Sequence, residues 1–397
     1  MDDVVIVSGA RTPIGTLGGV FASVPAPDLG AAAIAEALRR AQVEPGELDE
    51  VLMGNVISAG MGMNPARLAA VKAGVPVEVP ATTVNKMCGS GLKTVALAAQ
   101  AIKCGDARIV LAGGLESMSG APYLLPRARF GYRLGHGQLE DSLLRDGLWC
   151  THTDCHMGVT AENLAARYEI SREEEDQFAL QSQRRTAQAW ESGRFQEETV
   201  PVQVPQPKGE PVLVERDEHP RPNVTLEGLA KLRPAFQSGG TVTAGNSSGI
   251  NDGGAAVVVM SGREAARRGL EPLGVVRSYA SAGVEPSIMG IGPAPATRKA
   301  LEKAGLKLED LALIELNEAF AAQSLAVGRE LGLDWERVNV NGGAIALGHP
   351  VGASGTRILV TLLYEMQRRG GKYGLATLCI GGGQGIALVV ERNGSGG

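Results

Sequence analysis

Two cysteines at opposite ends of the chain each stand among glycines: Cys88 in Val-Asn-Lys-Met-Cys-Gly-Ser-Gly (84–91) and Cys379 in Cys-Ile-Gly-Gly-Gly-Gln-Gly (379–385). Glycine lets backbone approach a ligand closely, and two such sites invite a joint role. Gly348-His349-Pro350 adds an imidazole. A thiol can serve as a nucleophile, a neutral imidazole can take its proton, and a second thiol can move a proton beside a carbonyl. Each group also has a plainer reading. Cys88 can be a packing thiol and His349 a ring bonded within its turn. Cys379 can belong to a phosphate-binding glycine loop, but that run lacks G-x-x-x-x-G-K-[ST] and leads into a strand.

The elements around these residues argue for the chemical reading. Leu92, Val95, Ala96, Ala99 and Ile102 follow helical spacing over Gly91–Lys103, which places Cys88 at a helix N-terminus. The helix dipole there is expected to favour the thiolate and lower its pKa. His349 lies in the glycine-rich run 341–355, ahead of another helix. Cys379 meets Gly381, Gly382 and Gly383, whose N–H groups can form an anion-binding nest. Asn317 follows an apolar strand; it can cap the next helix or position a water. The polar loop 241–253 suits hydrogen bonding to an extended amide ligand, or simply a turn.

Strands are expected at Val4–Val7, Val51–Val56, Thr82–Asn85 and Arg108–Ala112, alternating with helices Leu29–Arg40, Pro65–Ala73 and Gly91–Lys103. The alternation returns later. Strands are expected at Leu273–Tyr279, Leu311–Leu316, Val338–Val340, Leu375–Ile380 and Ile386–Glu391, with helices Pro295–Ala304, Ala319–Leu331 and Ser354–Arg369. Local likenesses, such as residues 105–114 against 371–382, mark a duplication. Asn85 to Gly91 spans 91 − 85 = 6 positions and Asn341 to Gly355 spans 355 − 341 = 14, so the second copy carries an insertion holding His349. Unlike residues on a duplicated scaffold point to a site at its junction. Between the copies, residues from about 118 to 248 lose the alternation, apart from a charged helix, Ser171–Ala189, with a capping-box start. This excursion either covers the site or is a surface insertion.

Composition narrows the classes. The 397 residues are 44% hydrophobic and 20% charged, enough for two or three core-bearing units. Only 4% are aromatic and the net charge is −5, a poor basis for nucleic-acid binding. Every apolar run is broken before membrane-spanning length, and Met1–Val7 reads as a strand rather than a secretory signal. Five scattered cysteines suit a reducing compartment better than a disulfide framework or a zinc site.

Four blocks in order, 84–91, Asn317–Ala321, Gly348–Pro350 and 379–385, closely resemble the thiolase family, and the resemblance runs from the first strand through Glu391. It implies an α/β thiolase fold of two duplicated halves in a five-layered αβαβα arrangement with an inserted loop domain. The halves would be 1–117 with 249–270, and 271–397; the loop domain would be 118–248. It implies an acyltransferase that condenses two acetyl-CoA into acetoacetyl-CoA and CoA by a ping-pong Claisen reaction, or runs the reverse thiolysis. Cys88 would be acylated, His349 would activate it, and Cys379 would be the acid/base. One oxyanion hole would pair His349 with a water on Asn317; the other would use the N–H groups of Cys88 and Gly381.

Ser248 resembles the serine that bonds pantetheine and Arg221 a residue near the nucleotide phosphates. Leu148, His156, Met157, Phe236, Ala244, Met289, Ala319 and Phe320 match pocket-lining positions. The resemblance implies acetyl-CoA, acetoacetyl-CoA and CoA as partners, no metal or prosthetic group, no nucleic acid or membrane, a homotetramer, and a cytoplasmic setting. Cys155-His156-Met157-Gly158 resembles the Tyr-His-Met-Gly of the short-chain branch, with cysteine in place of the aromatic wall. That departure keeps open a degradative 3-ketoacyl-CoA thiolase of broader chain length. A non-catalytic acyl-CoA binding protein on the same scaffold is the alternative of a different class; the complete Cys88, His349, Cys379 and Asn317 set argues for catalysis.

Overall fold

The computed structural model describes residues 3–392. The outer ends of the expected halves, 1–2 and 393–397, lie outside the described residues. The first half contains Val4–Arg11 (β1), Ala26–Ala41 (α1), Glu50–Gly54 (β2), Pro65–Lys72 (α2), Ala81–Val84 (β3), Ser90–Cys104 (α3) and Ile109–Ser117 (β4). The middle segment contributes a short hairpin, Trp149–Cys150 (β5) and Cys155–His156 (β6), then Met157–Arg167 (α4) and Arg172–Glu191 (α5). Asn251–Ser261 (β7) returns to the first half. The second half follows as Gly274–Gly283 (β8), Pro293–Ala304 (α6), Leu311–Leu316 (β9), Ala321–Leu331 (α7), Ser354–Arg369 (α8), Tyr373–Ile380 (β10) and Gln384–Glu391 (β11).

The strands run in the order β9-β10-β11-β8-β1-β7-β4-β2-β3. β1 and β8 join through only Val5 opposite Val275 and Ile6 opposite Gly274, so two half-sheets of matching order meet there. α1 and α2 cover one half-sheet and α6 the other, while α3 and α8 pack together between them. The five layers are therefore α, β, α, β, α. Leu92, Val95, Ile358, Leu359 and Leu362 fill the central layer with strand residues from both halves. Full burial of each such side chain is worth about 1.5–3 kcal/mol.

α8 illustrates the local logic. Its apolar residues recur at helical spacing, Arg368 and Arg369 sit in the last turn, and Gly370 at φ 73° ends it in the left-handed region. Close packing sets the crossing of α3 and α8. A methyl group added at Gly355 would lie 2.3 Å from the Leu92 nitrogen, and one at Gly91 2.9 Å from the Thr356 nitrogen. These glycines stand just beyond Cys88 and His349, so the close approach brings both reactive loops to one end of the central layer.

Two strand expectations need correction. No strand forms at 338–340: Val338 makes one isolated bridge to Ile314, and Asn339 takes φ 46°. Its carboxamide instead accepts from the Leu316 N–H at 2.9 Å and donates to the Leu316 carbonyl at 2.7 Å, replacing the backbone ladder. Conversely, β7 was not foreseen. Residues 251–260 are all buried, so the segment shows no alternation, and it lies between β1 and β4 within the first half-sheet. The Ser171 capping box forms as expected, with Glu174 as its partner. Among the described residues no helix is long and apolar enough to cross a membrane.

Candidate active site

Cys88 sits in a tight turn between β3 and α3. Met87 is held at φ 48°, a conformation unusual for a residue with a side chain. Ser90 secures it, accepting from the Lys86 N–H at 2.8 Å and donating to the Met87 carbonyl at 2.6 Å. Cys379 is the penultimate residue of β10, opposite Gly385 of β11. Gly382 and Gly383, at φ 85° and 90°, make the intervening turn, and a methyl group on Gly383 would lie 2.4 Å from the Val284 carbonyl oxygen. Lys86 reaches across to Gln384 with a 2.7 Å hydrogen bond, tying the two cysteine loops together.

The Gly381 N–H and the N–H of Cys88 itself both face the Cys88 sulfur. Two amides from different halves thus converge where an anion beside that sulfur would be held. Burial nevertheless pushes the thiol up to about 11, against the pull of those two amides. The expectation of a lowered thiol pKa is corrected: desolvation outweighs the helix terminus. Although Cys88 keeps part of its surface open, protein atoms crowd the sulfur. Cys379 is fully buried and is raised well above the usual thiol value, first by burial and then by the charge of Cys88.

His349 is buried in the loop ahead of α8. Its N–H donates to Asn251 Oδ1 at 2.9 Å, and Asn251 Nδ2 donates to the Gly15 carbonyl at 2.9 Å. Its Nδ1 lies 2.6 Å from Ser354 Oγ, whose single proton goes to the Pro350 carbonyl at 2.8 Å. The hydroxyl must therefore accept from Nδ1–H, which leaves Nε2 as the basic nitrogen. Nε2 faces Asn317 Nδ2 at 3.5 Å. Asn317 is not the helix cap, since Phe320 occupies that position. The Asn317 carboxamide oxygen is buried without a hydrogen-bond partner among the described residues and can accept from a water.

Burial, then the charge of Arg357, lowers the His349 pKa to about 3. The resting ring is neutral. Its folded value lies below its unfolded value, so its stability contribution is complete above about pH 6.5 and is lost as pH falls toward 3. Imidazole nitrogen shifts are expected to report a neutral Nδ1–H ring from about pH 8 down to about pH 5. Titration with a midpoint near 6.5 would contradict this, and Ser354→Ala should release the tautomer. Ser354 and Asn251 were not singled out from sequence; a serine five positions after His349, at the start of a helix, was the available signal. Glu116 was missed too. It accepts from Val56 N–H at 3.0 Å, Ile57 N–H at 3.2 Å and Gly352 N–H at 2.9 Å, bracing the histidine loop against the first half.

A cleft of about 560 Å³ opens beside this cluster, lined by Met87, Trp149, Cys150, Met157 and Gly381 among others. Leu148 packs against the cluster that borders Cys88. His156 caps α4, its Nδ1 accepting from the Gly158 N–H at 3.0 Å, and its ring stacks on Phe236 at 4.7 Å. Phe236 meets Phe320 edge-on. Arg221 and Ala244 line a second cleft of about 280 Å³ with Gln183 and His219. Ser248 donates its N–H to the Ala319 carbonyl at 3.0 Å. Met289 is 3% exposed within the second-half core and lies outside both cleft linings.

Residues 4–263 match the family model described as thiolase, N-terminal domain, and residues 270–392 match thiolase, C-terminal domain. An acetyl-CoA acetyltransferase of Pseudomonas aeruginosa is 61% identical over 393 residues, spanning 99% of this chain and 100% of that protein. One from Escherichia coli K12 is 60% identical over 393 residues with the same coverage. The crystal structure of the Bacillus anthracis acetyl-CoA acetyltransferase superposes with a TM-score of 0.97 at 48% identity, covering 99% of both chains. Human mitochondrial 3-ketoacyl-CoA thiolase in complex with CoA superposes at 0.95 with 47% identity, covering 99% of this chain and 98% of that one.

Proposed function

The chain belongs to the thiolase family, and from that premise we propose that it is an acetyl-CoA acetyltransferase interconverting two acetyl-CoA with acetoacetyl-CoA and CoA. What supports the reading is the convergence of the Cys88 and Gly381 amides on the Cys88 sulfur, the electrostatic coupling of Cys379 to Cys88, and a His349 ring whose Nε2 is left basic.

In the first half-reaction Cys88 attacks the thioester carbonyl and His349 Nε2 takes the thiol proton. The tetrahedral oxyanion rests on the N–H groups of Cys88 and Gly381. Coenzyme A leaves as its thiol with a proton from Cys379, so the acetyl-enzyme holds an imidazolium and a thiolate. Acetyl-Cys88 cannot ionise, so the second of the two effects that raise Cys379 is absent from the acetyl-enzyme. In the second half-reaction the Cys379 thiolate takes a proton from the methyl group of another acetyl-CoA. The enolate oxygen is held by protonated His349 Nε2 and a water on Asn317. The carbanion attacks acetyl-Cys88, whose sulfur leaves and recovers its proton from His349, closing the cycle with all protons accounted for.

For coenzyme A binding we assign Ser248 to the pantetheine arm and Arg221 to the phosphates, supported by the place of Arg221 and Ala244 in the second cleft. Leu148, His156, Met157 and Phe236 enclose the acyl end, with Ala319 and Phe320 behind them. Met289 acts through packing. We also propose that residues 118–248 cover the site, that the enzyme works in the cytoplasm, and that dimers pair into tetramers. Apolar side chains presented to solvent by the 123–139 segment, Phe130 at 89% and Leu134 at 100%, support the last point.

Labelling with acetyl-CoA is expected to place an acetyl group on the tryptic peptide 87–93, which contains Cys88; an unlabelled peptide would defeat the covalent mechanism. Among 3-ketoacyl-CoA substrates of increasing length, thiolysis should strongly favour acetoacetyl-CoA. A preference for long chains would move the enzyme to the degradative branch.

A further inference from the structure

Cys150 and Cys155 are direct partners across the β5–β6 hairpin. Directly opposed residues of an antiparallel pair project their Cβ atoms to one face, about 4.5–5.5 Å apart. In an antiparallel pair of this kind the Cα atoms stand about 4.5 or 5.5 Å apart, inside the roughly 4.4–6.8 Å range that a disulfide needs. Closing a bond between them needs the Cβ atoms to draw in to about 3.5–4.5 Å, a shift of about 1 Å across the hairpin that keeps the strand register. The turn is already set, with Asp154 at φ 49° and its carboxylate accepting from Trp149 Nε1 at 3.0 Å.

The two thiols are unequal. Cys155 is half-buried, with its sulfur 3.1 Å from Thr153 Oγ1, whereas Cys150 is 3% exposed in an apolar cluster. Cys155 keeps more of its surface open, while Cys150, though nearly buried, borders the open cleft. That is the arrangement of an attacked thiol beside a resolving thiol.

We propose that Cys150 and Cys155 form a redox-active dithiol, separate from Cys88 and Cys379, which takes a hydroperoxide as oxidant and closes to a disulfide. Cys155 attacks the O–O bond of hydrogen peroxide, becoming a sulfenic acid as one water leaves. Cys150 then attacks that sulfur and displaces a second water. Overall, two thiols and one peroxide become one disulfide and two waters, and a dithiol reductant reverses the change.

Location gives the bond a consequence. Trp149 and Cys150 line the same cleft as Met87, Met157 and Gly381; His156 belongs to the hairpin, and Leu148 and Met157 flank it. The disulfide locks the wall of the acyl cleft. This consequence rests on the acyl-transfer reading; formation of the bond does not.

The test uses the full-length reduced protein, stepwise hydrogen peroxide, an iodoacetamide quench and tryptic mass spectrometry. Cys150 and Cys155 fall together in peptide 146–167, whereas Cys88 and Cys379 fall in 87–93 and 373–392. At doses that leave Cys88 alkylatable, peptide 146–167 is expected to appear without alkylation and two hydrogens lighter than the dithiol, reverting with dithiothreitol. Cys155→Ala should leave Cys150 alkylatable at the same doses. The proposal is overturned if wild-type peptide 146–167 stays doubly alkylated while Cys88 is oxidised, or if Cys155 overoxidises while Cys150 remains free. Loss of acetyl transfer by the reduced protein would instead count against the proposed function and leave this readout intact.

Discussion

Cys88→Ala is expected to lower both acetoacetyl-CoA thiolysis and acetyl-CoA condensation by at least about 10⁴-fold, with the fold preserved. The substitution removes one sulfur atom. It leaves the Ser90 bonds that hold the turn, and both amides that face the sulfur position, in place. Oxyanion stabilisation alone cannot replace the nucleophile, because no other described cysteine receives both of those amides. The comparison is made by following the loss of acetoacetyl-CoA, with acetyl labelling of the same preparation. A variant retaining a tenth of the wild-type rate would remove Cys88 from its role.

Cys379→Ala divides the reaction instead of abolishing it. Turnover is expected to fall by about 10³-fold, the scale for loss of a positioned acid/base. The first half-reaction should survive: one equivalent of CoA released per site and an acetyl group left on Cys88. The survival follows from geometry, since Cys88, His349 and the Gly381 N–H all remain, and a CoA thiolate can depart and take its proton from solvent. Cys379 is fully buried near the end of β10, so losing its sulfur also costs about 1 kcal/mol of stability. Rapid-quench measurement of CoA release separates the steps. Absence of the acetyl burst would mean that Cys379 is needed for the first transfer, and undiminished turnover would mean that it is not the base.

The reactive residues were legible because each lies in a short block whose glycines and flanking elements act locally. Cys88 precedes a helix with clear apolar spacing, and Cys379 closes an apolar strand. The duplication was legible for the same reason, and it leads to five layers with the second-half insertion carrying His349. The misses share a different character. β7 is buried on both faces, so its sequence carries no period. Asn339 displaces an expected strand because its side chain finds the Leu316 backbone. The pairing of Cys150 with Cys155 depends on hairpin register, which a one-residue slip would destroy.

The sequence by itself determined which groups are present, which elements carry them, and that two related halves supply different ones. Only the tertiary structure decided their protonation and company: a Cys88 thiol raised by burial despite its helix terminus, and a His349 ring kept neutral with Ser354 directing its free nitrogen toward Asn317. Spacing along the chain governs turns and periodicity. Desolvation and hydrogen-bond direction depend on atoms brought together from distant segments, and those effects decide what the two cysteines and the histidine between them can do.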